Sequence, residues 1–213
     1  MNIIAIKQDS KGKNIFFIAD NYEEYSLAEI ITLFKQQLIS NLSLVKSLNK
    51  EIYIRAKKNQ KTLESVAICC NEKDYLFFDG KYLQLKTING KIKLKWHAVS
   101  GLLGSTKNDQ NKPDIGPIPE GIYEAQFRNT LDIESHQNLW DELKWLIKSP
   151  SWGTIVTPLM PDKSTNTFGR SNFYIHGGWV AGSKGCIDLT TNNNVFHAIL
   201  RLYKRNFKLI VKY

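Results

Sequence analysis

The residues able to do chemistry are concentrated between Gly169 and Leu189: Gly-Arg-Ser-Asn-Phe-Tyr-Ile-His-Gly-Gly-Trp-Val-Ala-Gly-Ser-Lys-Gly-Cys-Ile-Asp-Leu. Phe173-Tyr174-Ile175 has the aromatic and β-branched character of a strand, His176 stands at its end, and a glycine-rich turn separates it from Cys186. A thiol of ordinary pKa is only slightly ionised at neutral pH, so a nucleophilic cysteine needs an imidazole beside it. His176 is the candidate base for Cys186. Main-chain amides near Gly185 and Cys186 are placed to take up the negative charge of a tetrahedral intermediate, the largest electrostatic contribution to acyl transfer. Residue types alone do not identify the group that orients the imidazole.

Each candidate has a plainer reading. An isolated cysteine is more often a core residue, and a histidine at a strand end more often bonds backbone. Here the two occur together in a setting rich in small residues, which favours catalysis. Arg170 can hold a substrate carboxylate bidentately or pair within the fold. Lys184 can depress the thiol pKa or point to water, and Trp179 is a candidate cleft wall. Cys69 and Cys70 follow an apolar run and suit a core or linker. His97 and His197 suit a strand and a helix and are assigned no chemistry. With no CxxC, no HExxH and no paired histidine spacing, no metal is expected, and no cofactor either.

These groups need a frame. Apolar alternation in Asn2–Lys7 and Asn14–Ala19, around Ser10-Lys11-Gly12, predicts a hairpin. Ser26-Leu27-Ala28-Glu29 is a capping box, and Leu27, Ile30, Ile31, Phe34 and Leu38 repeat at helical spacing, predicting a helix to about Ser40. Strands are expected near Leu42–Ser47 and Glu51–Ala56, and the polar run Lys57–Lys61 suits a linker. From Tyr75 the pattern is strand-like, with turns at Asp79-Gly80 and Asn89-Gly90. Ile92, Leu94, Trp96 and Ala98 alternate with Lys91, Lys93, Lys95 and His97, predicting one buried and one solvated basic face. Gly101 to Gly121, with three prolines in its second half, reads as a long irregular loop. Helices are expected at Ser135–Lys148 and Asn193–Tyr203, before a last strand at Phe207–Tyr213. The expected fold is α+β. A small β-hairpin, helix, β-hairpin domain occupies residues 1–70, and a mostly-β domain with about two helices occupies 75–213.

Two resemblances follow from these residues. Tyr25-Ser26-Leu27-Ala28-Glu29-Ile30 and Glu51-Ile52-Tyr53-Ile54-Arg55 resemble a small bacterial domain family of undefined function, which implies no activity. The run from Gly169-Arg170 through His176-Gly177-Gly178 to Ser183-Lys184-Gly185-Cys186-Ile187-Asp188-Leu189 is similar to the signature of L,D-transpeptidases, and most to their type VI secretion effector family. Trp96, Ser100-Gly101, Gly116–Tyr123 and Ser151-Trp152-Gly153 extend the likeness over about residues 75–213. The resemblance implies an L,D-transpeptidase-like catalytic domain with Cys186 as acylated nucleophile and His176 as base. It further implies that the Gly177 carbonyl orients the imidazole and that Ser183 and Gly185 shape the pocket. Lys184 stands where the wider family usually has histidine, and Asp188 where it commonly has arginine or asparagine. Ser183, Arg170, Lys184, Asp188 and Trp179 make up the expected substrate-contacting set, with Cys186, His176, Gly177 and Gly185 as the catalytic set.

The implied substrate is a peptidoglycan stem tetrapeptide, and the implied reaction is L,D-carboxypeptidase action, D-amino-acid exchange or cross-linking. An immunity protein and secretion machinery are the implied partners. The chain lacks a signal-peptide layout and any apolar run long enough to span a bilayer, so synthesis in the bacterial cytoplasm, secretion, and action in a target cell's periplasm are expected. The formal charge of +9 divides as +2 over residues 1–75 and +7 over 76–213. That excess favours polyanionic surroundings without naming one, and no nucleic-acid module accompanies it. The alternatives are a catalytically silent peptidoglycan- or partner-binding protein on the same fold, and a cysteine peptidase acting on proteins.

Overall fold

Two runs of alternating apolar residues, Ile3–Gln8 (β1) and Asn14–Ala19 (β2), pair antiparallel as their patterning predicts. They belong to a computed structural model that describes residues 1–9, 11–46, 52–57, 67–132 and 152–213. The chain divides into two compact units, Met1–Asn71 and Glu72–Tyr213.

In the first unit Glu24–Ser26 (β3) adds to β2, and the chain turns directly into the helix Leu27–Lys35 (α1). The expected capping box is formed: Glu29 N–H donates to Ser26 Oγ at 3.3 Å, and Ser26 N–H donates to Glu29 Oε2 at 2.7 Å. The helix ends earlier than its apolar spacing suggested. Gln37 adopts φ 59°, its N–H bonds to Phe34 O, and Leu38 N–H bonds to Leu33 O, which is a Schellman cap. No glycine marks that position, so sequence gave no stop signal there. Leu42–Lys46 (β4) and Ile52–Ala56 (β5) form the second hairpin. Ala67–Cys69 (β6), not foreseen as a strand, runs parallel to β1 and completes the sheet order β3-β2-β1-β6. Ile6, Phe17, Ile30, Leu42 and Ile54 join sheet, helix and hairpin in one core. Burying each large side chain stabilises by roughly 1.5–3 kcal/mol.

The second unit starts with the meander Tyr75–Phe78 (β7), Tyr82–Lys86 (β8) and Ile92–His97 (β9). Val99–Ser100 (β10) leads into the long loop, which is irregular apart from a 3-10 turn at Lys107–Asp109. Then come Gly121–Ala125 (β11), Leu131–Asp132 (β12), Ile155–Pro161 (β13), Phe173–His176 (β14), Ile187–Asp188 (β15), the helix Asn193–Arg201 (α2) and Phe207–Val211 (β16). The sheet order is β10-β15-β14-β13-β11-β16-β7-β8-β9, with β12 paired on β13. The chain is thus α+β and mostly strand, with one described α-helix in each unit. The helix expected at Ser135–Lys148 lies outside the described residues.

Strand β9 departs from its predicted faces. Ile92 is 47% exposed at the sheet edge, while Lys93, expected in water, donates to the buried Asp74 at 2.5 Å. Tyr203 Oη donates to the same carboxylate at 3.0 Å, and Arg205 donates to the Asp74 main-chain oxygen. A buried carboxylate needs such partners, and that requirement overrides the polar-out alternation.

Candidate active site

The segments that carry the candidate base and nucleophile run side by side as a parallel pair. β14 pairs with β15 in the register Ile175 to Ile187 and His176 to Asp188. Paired residues in a ladder share a face, and faces alternate along each strand. His176 and Asp188 therefore share one face, and Cys186 ends the turn that leads directly into β15. The thiol donates toward Asn172 O at 3.7 Å, and the Tyr174 amide donates toward the sulfur.

His176 is fully buried, and its ring stacks on Trp152 with centroids 4.4 Å apart and 9° between planes. Its carbonyl accepts from Leu189 N–H at 2.7 Å. The following Gly177 is wedged: a Cβ on it would overlap Thr190 backbone, and a Cβ on Gly153 would overlap the Gly177 carbonyl. That carbonyl, implied to orient the imidazole, thus lies against Gly153.

The turn carrying Cys186 is knitted from within. Ser183 Oγ donates to Cys186 O at 2.6 Å and accepts from Gly185 N–H at 3.4 Å, while Ser183 N–H donates to Gly101 O at 3.1 Å. Asp188 Oδ2 accepts from Gly182 N–H at 2.8 Å and Oδ1 from Thr190 N–H at 2.7 Å.

The expected substrate-contacting set is dispersed. Arg170 spends Nη1 on the carbonyls of Gln110 and Pro117 and Nη2 on those of Gly116 and Lys184, at 2.6 to 3.3 Å. Those four bonds use the end of its fork, so it clamps the long loop to the cysteine turn rather than presenting a fork to a ligand. Ser183 and Asp188 are buried, Ser183 bonded within the turn and Asp188 to the amides of Gly182 and Thr190. Lys184 is exposed, 4.0 Å from Asp114, and Trp179 is 89% exposed. Between the long loop and the turn, Val99–Ser105, Gly80, Ala181 and Gly182 line a cavity of about 200 Å³.

Burial pushes the Cys186 thiol up to about 12; the Tyr174 amide and Arg170 pull it down, and Asp188 pushes it further up. The resting group is a thiol. Burial also raises Asp188 to about 6, against the lowering effect of the Thr190 and Gly182 amides. Behind the strands, His197 is held neutral, its pKa lowered to about 4 by burial. Its Nε2 meets Thr157 Oγ1 at 2.9 Å and its Nδ1 meets Asn193 O at 2.9 Å.

Sequence reasoning had no signal for the placement of Asn172 or Tyr174 beside the thiol. Trp152-Gly153 was noted only as part of a family pattern, and the neighbouring glycine was the available hint that something packs closely there. The helix residue His197 shows its buried, doubly bonded role only in three dimensions.

Comparison with known proteins places this geometry in context. The model of the Tlde1 domain family matches residues 95–213. No curated protein matches the chain. Among solved structures, an L,D-transpeptidase from Mycobacterium smegmatis is 14% identical over 76% of this chain and 70% of its own, with a TM-score of 0.35. The Ldtfm–avibactam carbamoyl enzyme is 12% identical over 98% of this chain and 94% of its own, also with a TM-score of 0.35.

Proposed function

Since the chain belongs to the Tlde1 domain family, that of type VI L,D-transpeptidase effectors, we propose that it carries out cysteine-dependent acyl transfer on peptidoglycan stem peptides. The observation that supports this most is that His176 ends β14 and Cys186 immediately precedes β15, its parallel neighbour, inside the matched residues. Cys186 attacks the carbonyl that joins the third stem residue to D-Ala. As the S–C bond forms, the thiol proton passes to His176, which suits a thiol held protonated at rest. Collapse breaks the C–N bond, His176 returns the proton to the departing D-Ala amine, and a thioester remains. Water or the amine of a D-amino acid then attacks the thioester, giving up its proton to His176 as the thiol is regenerated. The peptidoglycan is that of a target cell, reached through type VI secretion, and the Met1–Asn71 unit serves as an adaptor or partner-binding module.

The test is mass spectrometry of disaccharide-tetrapeptide muropeptides incubated with the protein and with Cys186→Ala, with and without an added D-amino acid. Loss or replacement of D-Ala by the unmodified protein alone supports the proposal. The burial of Cys186 and its raised pKa favour a second reading, a silent peptidoglycan-binding protein. That reading gains if both samples leave the muropeptide unchanged yet bind it.

A further inference from the structure

The two amides held by the buried Asp188 belong to opposite halves of the site. Gly182 opens the turn that contains Ser183, Gly185 and Cys186, and Oδ2 holds it at 2.8 Å. Thr190, held by Oδ1 at 2.7 Å, has φ 51°, and its backbone packs on Gly177, the residue after His176. Between these contacts Asp188 itself pairs with His176 in the β14–β15 ladder and with Val99 in the β10–β15 ladder. One side chain thus spans the nucleophile's turn and the base's flank.

We propose that Asp188 is the positioning residue of this site, its two carboxylate oxygens setting the Cys186 turn against the His176 segment through Gly182 and Thr190. The proposal rests on the catalytic reading above. Only an ionised carboxylate accepts at both oxygens without a rotor to lose; asparagine of the same shape accepts at one and sets an amine against the other N–H. Among the described residues, the ionisable neighbours of Asp188 are Cys186, whose thiol it raises, and His176, its partner in the β14–β15 ladder, with Arg170 acting on the same thiol. Protonation of Asp188 near pH 6 releases one of the two amides.

The two effects of removing the charge have opposite signs, which makes the role testable. Asp188 pushes the Cys186 thiol up, so Asp188→Asn makes the thiol easier to ionise. Its alkylation by iodoacetamide is therefore expected to quicken, while kcat on the disaccharide-tetrapeptide falls about 100-fold with KM changed little, because a misplacement near 1 Å has that effect on rate. Asp188→Glu, which keeps the charge and shifts its oxygens, is expected to lose kcat without the faster alkylation. An unchanged or higher kcat in folded Asp188→Asn overturns the proposal. Should that variant not fold, NMR of the unmodified protein decides: the Gly182 and Thr190 amide shifts titrate together near pH 6, and two amides that do not titrate overturn it. If the unmodified protein leaves muropeptides intact while both amides titrate, the substrate assignment fails and the positioning of Cys186 stands.

Discussion

The guanidinium of Arg170 stands where Gly185 would need to place a Cβ. Gly185 is at φ 115°, so the position is closed to side chains twice over, by backbone strain and by a neighbour that four carbonyls hold in place.

Gly185→Ala is therefore expected to destabilise the second unit by about 2–4 kcal/mol, from positive-φ strain plus displaced charge-assisted hydrogen bonds. Arg170→Lys leaves the glycine alone but replaces the fork by a point charge, and a loss of about 2 kcal/mol is expected. Urea denaturation measures both. A Gly185→Ala protein as stable as the unmodified one would show that the clamp yields.

The stack of Trp152 on His176 sets the second prediction. Trp152→Ala removes the surface that holds the imidazole plane, and kcat on muropeptides is expected to drop about 10-fold with little change in KM, the upper end of the 0.5–1.5 kcal/mol typical of an aromatic pair. Trp152→Phe restores most of the loss. A change confined to KM would instead assign Trp152 to substrate binding.

How much of this was legible beforehand varies with the distance over which each decision is made. The capping box, the hairpin of β1 and β2 and helix α2 are local patterns and were visible as such. The segment containing His176 and Cys186 was also visible, because the strand, the glycine-rich turn and the thiol lie within one short run of sequence. The end of α1 was not, since Gln37 takes a left-handed conformation more often given to glycine. Lys93 was misjudged because its partner Asp74 is remote in sequence, and the internal partners of Arg170, the Gly116–Pro117 carbonyls, are also remote. A charged residue in a sequence shows what it can bind, and its neighbours in space decide what it does bind.

His197 carries a prediction about acid. Unfolded, its imidazole takes up a proton below about pH 6.5; folded, it resists until about 4. Between those values the unfolded state binds more protons, so stability falls as the pH drops through that window, by on the order of 3 kcal/mol. Asp188, raised from 3.8 to about 6, acts in the opposite direction there, since its folded form holds the extra proton. Comparison with His197→Gln isolates the histidine. The stability of the unmodified protein relative to the variant should decline from pH 6.5 to 4; a constant difference would mean that His197 is not held neutral by the fold.

The thiol of Cys186 supplies the last prediction, because its reactivity tells two catalytic schemes apart. A cysteine stored as a thiolate beside imidazolium alkylates at a rate that levels off near neutral pH. With burial holding the thiol up to about 12, the thiolate fraction of Cys186 grows tenfold per pH unit throughout the neutral and moderately alkaline range. The iodoacetamide rate should accordingly rise with unit slope from pH 7 to about 10. Cys69 and Cys70 are both replaced by alanine, so that Cys186 is the thiol read. Under this scheme His176→Ala abolishes turnover, since the proton must leave during attack, yet changes the intrinsic alkylation rate little. A plateau near neutral pH that vanishes in His176→Ala would instead establish a preformed ion pair, and the proton transfer to His176 would then precede substrate binding.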